Sequence, residues 1–145
     1  MLSCRVIQTA ITTLDHEDLV KLLAKFQGHV LGMINDPSGN YVIQRFIQTT
    51  SEQTKSAMNQ EKHEVASKLM HQLQFIINDV IAHVQYLSTH TYGCRVVQRT
   101  LEFCMEDQKN AVINAILSCK GKLMSDKFGN YVLQQTIVVG DESVR

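Results

Sequence analysis

The sequence predicts an all-α fold in which helical units stack into a solenoid. Three observations lead to this prediction. One proline, seven glycines and no tryptophan in 145 residues disfavour a loop-rich β architecture. A six-residue motif recurs at near-regular spacing, and the apolar residues that follow each copy keep the 3.6-residue period of an amphipathic helix.

The motif occurs four times, as SCRVIQ at 3–8, GNYVIQ at 39–44, GCRVVQ at 93–98 and GNYVLQ at 129–134. The first two copies are 36 residues apart, and so are the last two. The middle interval is 54 residues, which is one period plus 18. A period near 36 with one insertion is typical of stacked helical repeats. We therefore predict one partial repeat array over residues 1–145, with an insertion at about 50–67.

Each motif is predicted to begin a helix whose apolar pairs, such as Val42/Ile43 and Phe46/Ile47, form one buried stripe. Residues four apart lie one above the other on a helix, so Asn40 and Gln44 share the opposite face. Longer helices are predicted at 17–26 and 107–119, and short ones at 29–36, 83–90 and 120–127. The predicted repeat therefore has a short helix, a motif helix and a long helix.

The insertion and the two ends depart from this pattern. Residues 50–67 are polar, which predicts a solvated loop or a helix extension, with a partner-binding loop or translated non-coding sequence as alternatives. Ser3 stands where the other motifs have glycine, and no short helix precedes it. The chain also ends soon after the fourth motif helix. We therefore expect a fragment of a longer array or an incomplete gene model.

Composition excludes several classes of protein. Equal numbers of basic and acidic residues, 14 each, argue against gripping duplex DNA through its phosphates, but not against reading splayed-out bases. No apolar run reaches about 18 residues, so we expect no membrane association. We also expect a cytoplasmic location. Neither catalysis nor a cofactor is expected, because phosphate-loop and nucleophile motifs are lacking. The spacings of the histidines and cysteines match no zinc pattern, so the four cysteines are predicted to be free thiols: Cys4, Cys94, Cys104 and Cys119.

The motifs GNYVIQ and GCRVVQ, with the longer stretches STHTYGCRVVQRTLEFCMEDQ and DKFGNYVLQQTI, resemble the RNA-reading helix of the Pumilio (PUF) family. The alternation of Cys-Arg-Gln with Asn-Tyr-Gln is similar to the third to sixth repeats of an eight-repeat array. The resemblance implies a curved, right-handed solenoid of three-helix repeats that binds single-stranded RNA, one base per repeat. It also implies mRNA 3′-UTR targets, post-transcriptional regulation of translation, and regulatory proteins on the convex face.

The resemblance further implies a role for each motif residue. Eight residues would meet base edges: Cys4, Gln8, Asn40, Gln44, Cys94, Gln98, Asn130 and Gln134. Four would stack on base planes: Arg5, Tyr41, Arg95 and Tyr131.

Two amides per site suit uracil, whereas one glutamine beside a cysteine suits adenine. With RNA antiparallel to the protein, the predicted core is 5′-UAUA-3′. Arg45 and Arg99, which follow motif glutamines, are expected to reach phosphates or to form salt bridges. The alternatives are a protein-binding α-solenoid, which leaves the alternating triplets unexplained, and a truncated array without tight RNA binding.

Overall fold

A computed structural model describes the backbone of residues 2–144 and the side chains of residues 4–140. Every regular element in this part of the chain is an α-helix. The helices in chain order are α1 (Leu2–Thr13), α2 (His16–Ala24), α3 (Val30–Asn35), α4 (Gly39–Asn59), α5 (His63–Ala82), α6 (Val84–Ser88), α7 (Gly93–Phe103), α8 (Glu106–Ser118), α9 (Lys120–Leu123) and α10 (Gly129–Val144).

The helices form two layers. The four motif helices α1, α4, α7 and α10 pack side by side in one layer, and the long helices α2, α5 and α8 pack in the other. The short helices α3, α6 and α9 each contact the motif helix that follows them. This order of short, motif and long helices repeats along the chain. The prediction of an all-α solenoid of three-helix repeats is confirmed.

The insertion is helical apart from the turn at residues 60–62. It lengthens α4 to 21 residues and α5 to 20, compared with 11 in α7 and 13 in α8. The two extensions run antiparallel and are joined by a turn in which Glu61 has a φ of 60°. Small side chains in this segment, including Thr54, Ala57 and Ala66, are buried although its overall composition is polar. Of the expected alternatives, the helix extension is the one observed.

Apolar side chains of the motif helices fill the space between the layers. Ile43, Phe46 and Ile47 are fully buried, and the Phe46 ring meets that of Phe26 edge to face at 5.0 Å. The stripe is incomplete in α1 and α10, where Val6 is 66% exposed and Ile137 is 61% exposed. The prediction that every motif helix has a buried stripe, which included Val6 and Ile137, was wrong at these two residues, because α1 and α10 each contact a motif helix on one side only.

The motif glycines allow α4, α7 and α10 to start against the short helix before each of them. A Cβ atom on Gly39 would lie 2.7 Å from the carbonyl oxygen of Met33, and one on Gly93 would lie 2.6 Å from that of Leu87. These distances are too short for a side chain, so glycine is required by packing rather than by backbone angle. Among residues 2–144, no helix is long and apolar enough to cross a membrane.

Candidate nucleic-acid interface

A side chain three residues before each motif glycine holds the start of the motif helix. One carboxylate oxygen of Asp36 accepts hydrogen bonds from the backbone N–H groups of Ser38 and Gly39, at 2.8 and 2.6 Å. These bonds hold the pKa of the Asp36 carboxyl below its usual value. Asp126 caps α10 in the same way, as expected for a residue at a helix end. His90 caps α7 through Nδ1, which accepts two N–H bonds at 3.1 Å.

The amides of Asn40 and Gln44 form a hydrogen-bonded unit at the start of α4. Asn40 Nδ2 donates to the carbonyl oxygens of Asp36 and Pro37, at 2.8 and 2.9 Å. Carbonyl oxygens can only accept, so the Asn40 amide has one orientation and its Oδ1 faces Gln44. Gln44 Nε2 donates to that oxygen at 2.9 Å. Asn40 is 0% exposed and Gln44 9%, so Gln44 is the more accessible of the two.

The fourth motif repeats this arrangement. Asn130 Nδ2 donates to the carbonyl oxygens of Asp126 and Lys127, and Gln134 Nε2 donates to Asn130 Oδ1 at 3.0 Å. Here Asn130 is half-buried and Gln134 is exposed. The two Asn–Gln pairs therefore present the same hydrogen-bonding groups, with different access to solvent.

The other two motifs have cysteine in place of asparagine. The Cys94 thiol lies 3.5 Å from the carbonyl oxygen of Thr91, and Cys4 Sγ lies 3.0 Å from that of Ser38. Gln8 Nε2 donates to Cys4 Sγ at 3.1 Å. Burial raises the pKa of the Cys94 thiol, which keeps it neutral. All four cysteines are free thiols, as predicted.

The flat side chains lie in the open on the same row of helices. Arg5, Tyr41, Arg95 and Tyr131 are all exposed. Arg95 Nη1 donates to the Tyr41 hydroxyl at 3.1 Å, which links the second and third motif helices. A cavity of about 620 Å³ opens between motif helices and exposes base-edge and stacking candidates together; it is lined by Cys4, Arg5, Gln8, Pro37, Ser38, Tyr41, Tyr92 and Arg95.

One contact in this row was missed by sequence reasoning. Arg99 Nε donates to Gln44 Oε1 at 3.3 Å, and Arg99 Nη1 donates to the Glu102 carboxylate at 2.8 Å. The expected salt bridge of Arg99 is therefore present. Its contact with a motif glutamine could not be expected from spacing, because Gln44 and Arg99 lie 55 residues apart, across the insertion.

A family model described as Pumilio-family RNA binding repeat matches residues 1–25, 29–58, 83–117 and 121–145. Pumilio homolog 12 of Arabidopsis thaliana is 28% identical over 131 residues, covering 90% of this chain and 19% of that protein. Suppressor protein MPT5 of Saccharomyces cerevisiae is 30% identical over 139 residues, covering 90% of this chain and 14% of that protein. The chain thus spans a small part of the length of both relatives.

Solved structures show the same similarity. The Puf3 RNA binding domain bound to a Cox17 RNA 3′ UTR recognition sequence superposes with a TM-score of 0.72 and 35% identity, covering 93% of this chain and 34% of that one. PUF-8 in complex with PBE-RNA superposes with a TM-score of 0.70 and 27% identity, covering 92% of this chain and 34% of that one. The family match extends over most of the chain, and the chain therefore belongs to the Pumilio family of RNA-binding repeat proteins.

Proposed function

We propose that this chain binds single-stranded RNA, one base per repeat, across the row of motif helices α1, α4, α7 and α10. The observation that carries the proposal is the recurrence of one amide-bearing site and one flat, exposed side chain on each of these four neighbouring helices. The RNA complexes of Puf3 and PUF-8 support it, because both superpose on nearly the whole chain.

Donor and acceptor groups support a base for each repeat. Uracil presents acceptor, donor and acceptor groups, two of which suit the donor and acceptor of a glutamine amide that its asparagine neighbour orients, as in the second and fourth motifs. Adenine presents an N1 acceptor and an amino donor, which one glutamine amide satisfies while a neutral cysteine makes an apolar contact. With the RNA antiparallel to the chain, these assignments give 5′-UAUA-3′, read from Asn130 back to Cys4.

Stacking on bases is expected to supply most of the affinity for RNA, because the chain has no net positive charge to attract phosphates. The chain has no net charge, so phosphate attraction contributes little. Each base placed against an aromatic or guanidinium plane contributes about 1–3 kcal/mol. Four such contacts are enough for measurable binding of a short RNA.

The proposal includes a biological setting in line with the relatives. Residues 1–145 form one partial repeat array, with no enzymatic activity of its own, whose targets are mRNA 3′-UTRs and whose effect is post-transcriptional regulation in the cytoplasm. Regulatory proteins would contact the convex layer of α2, α5 and α8, opposite the motif helices. The Cox17 RNA 3′ UTR sequence bound by Puf3 supports this class of target.

Removal of one stacking ring tests the proposal. Tyr41→Ala is expected to weaken binding of a labelled 8-mer that contains UAUA by about tenfold, because one base loses its stacking partner. Fluorescence anisotropy measures the affinity. The matched control is Tyr86→Ala, which removes an equally exposed tyrosine from α6 and should leave the affinity unchanged.

Thermal unfolding of both variants checks that they are folded. Equal RNA affinities of the wild type and the Tyr41 variant would contradict stacking at this site. A folded wild type without affinity for the 8-mer would favour the protein-binding solenoid or the truncated array instead.

A further inference from the structure

The bonds around Gln44 run in one direction across two repeats. The Asn40 amide donates to two backbone carbonyls, and the Gln44 amide donates to Asn40 Oδ1. This leaves Gln44 Oε1 on the far side of the amide, where it accepts from Arg99 Nε at 3.3 Å. Glu102 holds the same guanidinium at 2.8 Å. The donor-only arginine and the acceptor Asn40 Oδ1 thus favour the same orientation of the Gln44 amide from its two ends.

We infer that Arg99, on the third motif helix, is a positioning residue. It orients the Gln44 amide on the second motif helix and thereby determines which base that glutamine recognises. This inference rests on the proposed RNA binding and adds a residue outside the four triplets. Its consequence is that base reading by the second repeat depends on its neighbour.

The ordered groups match uracil. Gln44 Nε2 has a second N–H, Oε1 has a second lone pair, and the Arg99 guanidinium has further N–H groups. Side by side, Gln44 Nε2, Gln44 Oε1 and the Arg99 guanidinium present a donor, an acceptor and a donor. This order complements the two carbonyl oxygens of uracil and the N3–H group between them. Cytosine has an acceptor at its central ring nitrogen, which would face Gln44 Oε1, also an acceptor. Without Arg99, the Asn40 bond alone would orient the Gln44 amide, so the amide could turn at a smaller cost and accommodate cytosine with less loss.

The groove beside Gln44 has room for such a contact. A cavity of about 360 Å³ opens between the second and third motif helices and is lined by Tyr41, Gln44, Arg95, Gln98, Arg99, Glu102 and Gln135. It brings the positioning arginine and the stacking side chains Tyr41 and Arg95 to one opening. The side chain of Arg99 is 45% exposed, so part of it remains accessible to a base.

Two other residues of the chain can be compared with Gln44 and Arg99. Gln134 is held through its Nε2 alone, since within the described residues its Oε1 meets no such arginine. Arg45 follows Gln44 on α4 as Arg99 follows Gln98 on α7, yet it forms no hydrogen bond with any described side chain. Arg99 is therefore distinguished from Arg45 by its contact and not by its place in the repeat.

The test compares uracil with cytosine at single positions of the 8-mer. In Arg99→Met, the preference for UAUA over UACA is expected to fall by about fivefold, the usual loss for one hydrogen bond. The preference for UAUA over CAUA should not change, because these RNAs differ at the first base, which is assigned to Gln134. Arg45→Met removes the same charge and should leave both ratios as they are in the wild type. Affinities come from fluorescence anisotropy, with thermal unfolding as the check on folding.

Two results would overturn the inference. If Arg99→Met weakens binding to UAUA and UACA by the same factor, Arg99 acts only as a cation, and the proposed RNA binding stands without it. If the wild type shows no preference among the three RNAs, the proposed base reading fails and this inference fails with it.

Discussion

Several motif residues act by positioning a neighbouring side chain or helix. Asn40 is fully buried and donates its N–H groups to backbone carbonyls, so in the proposed base reading its contribution is to orient Gln44. Gly93 has no side chain at all, and its role is to let α7 start against α6. The alternation of cysteine and asparagine changes the partner of the motif glutamine, because Gln44 and Gln134 donate to an asparagine oxygen whereas Gln8 donates to Cys4 Sγ.

Gly93→Ala tests the close approach of α6 and α7. The added methyl group would lie 2.6 Å from the Leu87 carbonyl oxygen, so the helices must separate, and we expect a loss of about 1–3 kcal/mol in the free energy of unfolding. Urea denaturation measures it. In the control Gly121→Ala, the methyl group meets no atom within 4 Å, and alanine favours a helix, so stability should hold or rise slightly. Equal effects of the two substitutions would contradict the packing role of Gly93.

At the scale of elements, the insertion changes the length of two helices without interrupting the row of motif helices. α4 still packs between α1 and α7 although it is 21 residues long. With the extension present, α4 contacts α1 and α7, and α5 contacts α2 and α8, so the second repeat packs against both neighbours. Its buried Ser51 lies 4.0 Å from Cys104 Sγ, at the junction with the third repeat. The insertion is therefore part of the packed solenoid.

The turn of this helical hairpin carries a strained residue. Glu61 has a φ of 60°, a conformation that costs a residue with a side chain about 1 kcal/mol. Glu61→Gly should therefore raise the free energy of unfolding by up to about 1 kcal/mol, measured by urea denaturation. Glu64→Gly, three residues later in the first turn of α5, should lower it by a similar amount, because glycine disfavours a helix and the ion pair with Lys68 is lost. A destabilising Glu61→Gly would show that the hairpin does not adopt this turn.

For the whole molecule, sequence reasoning predicted the repeats well and the contacts between repeats poorly. Motif positions follow from the spacing of residues along one helix, so the face shared by Asn40 and Gln44 was predictable. The helical insertion was only one of several expectations, because its buried residues are small threonine, serine and alanine side chains rather than large apolar ones. The Arg99 contact lies between repeats, and its geometry depends on how α4 and α7 pack. Local patterns carry no information of that kind.

The central claim is that each motif helix reads one base in a fixed order, and two double variants test it most directly. A glutamate at the motif glutamine can accept from the N1–H and amino groups of guanine, so each change should turn a uracil site into a guanine site. Anisotropy would compare UAUA, UAGA and GAUA. We predict that Asn40→Ser with Gln44→Glu prefers UAGA, and that Asn130→Ser with Gln134→Glu prefers GAUA. Folded variants that share one preference, or that exchange these two, would contradict the proposed order of reading.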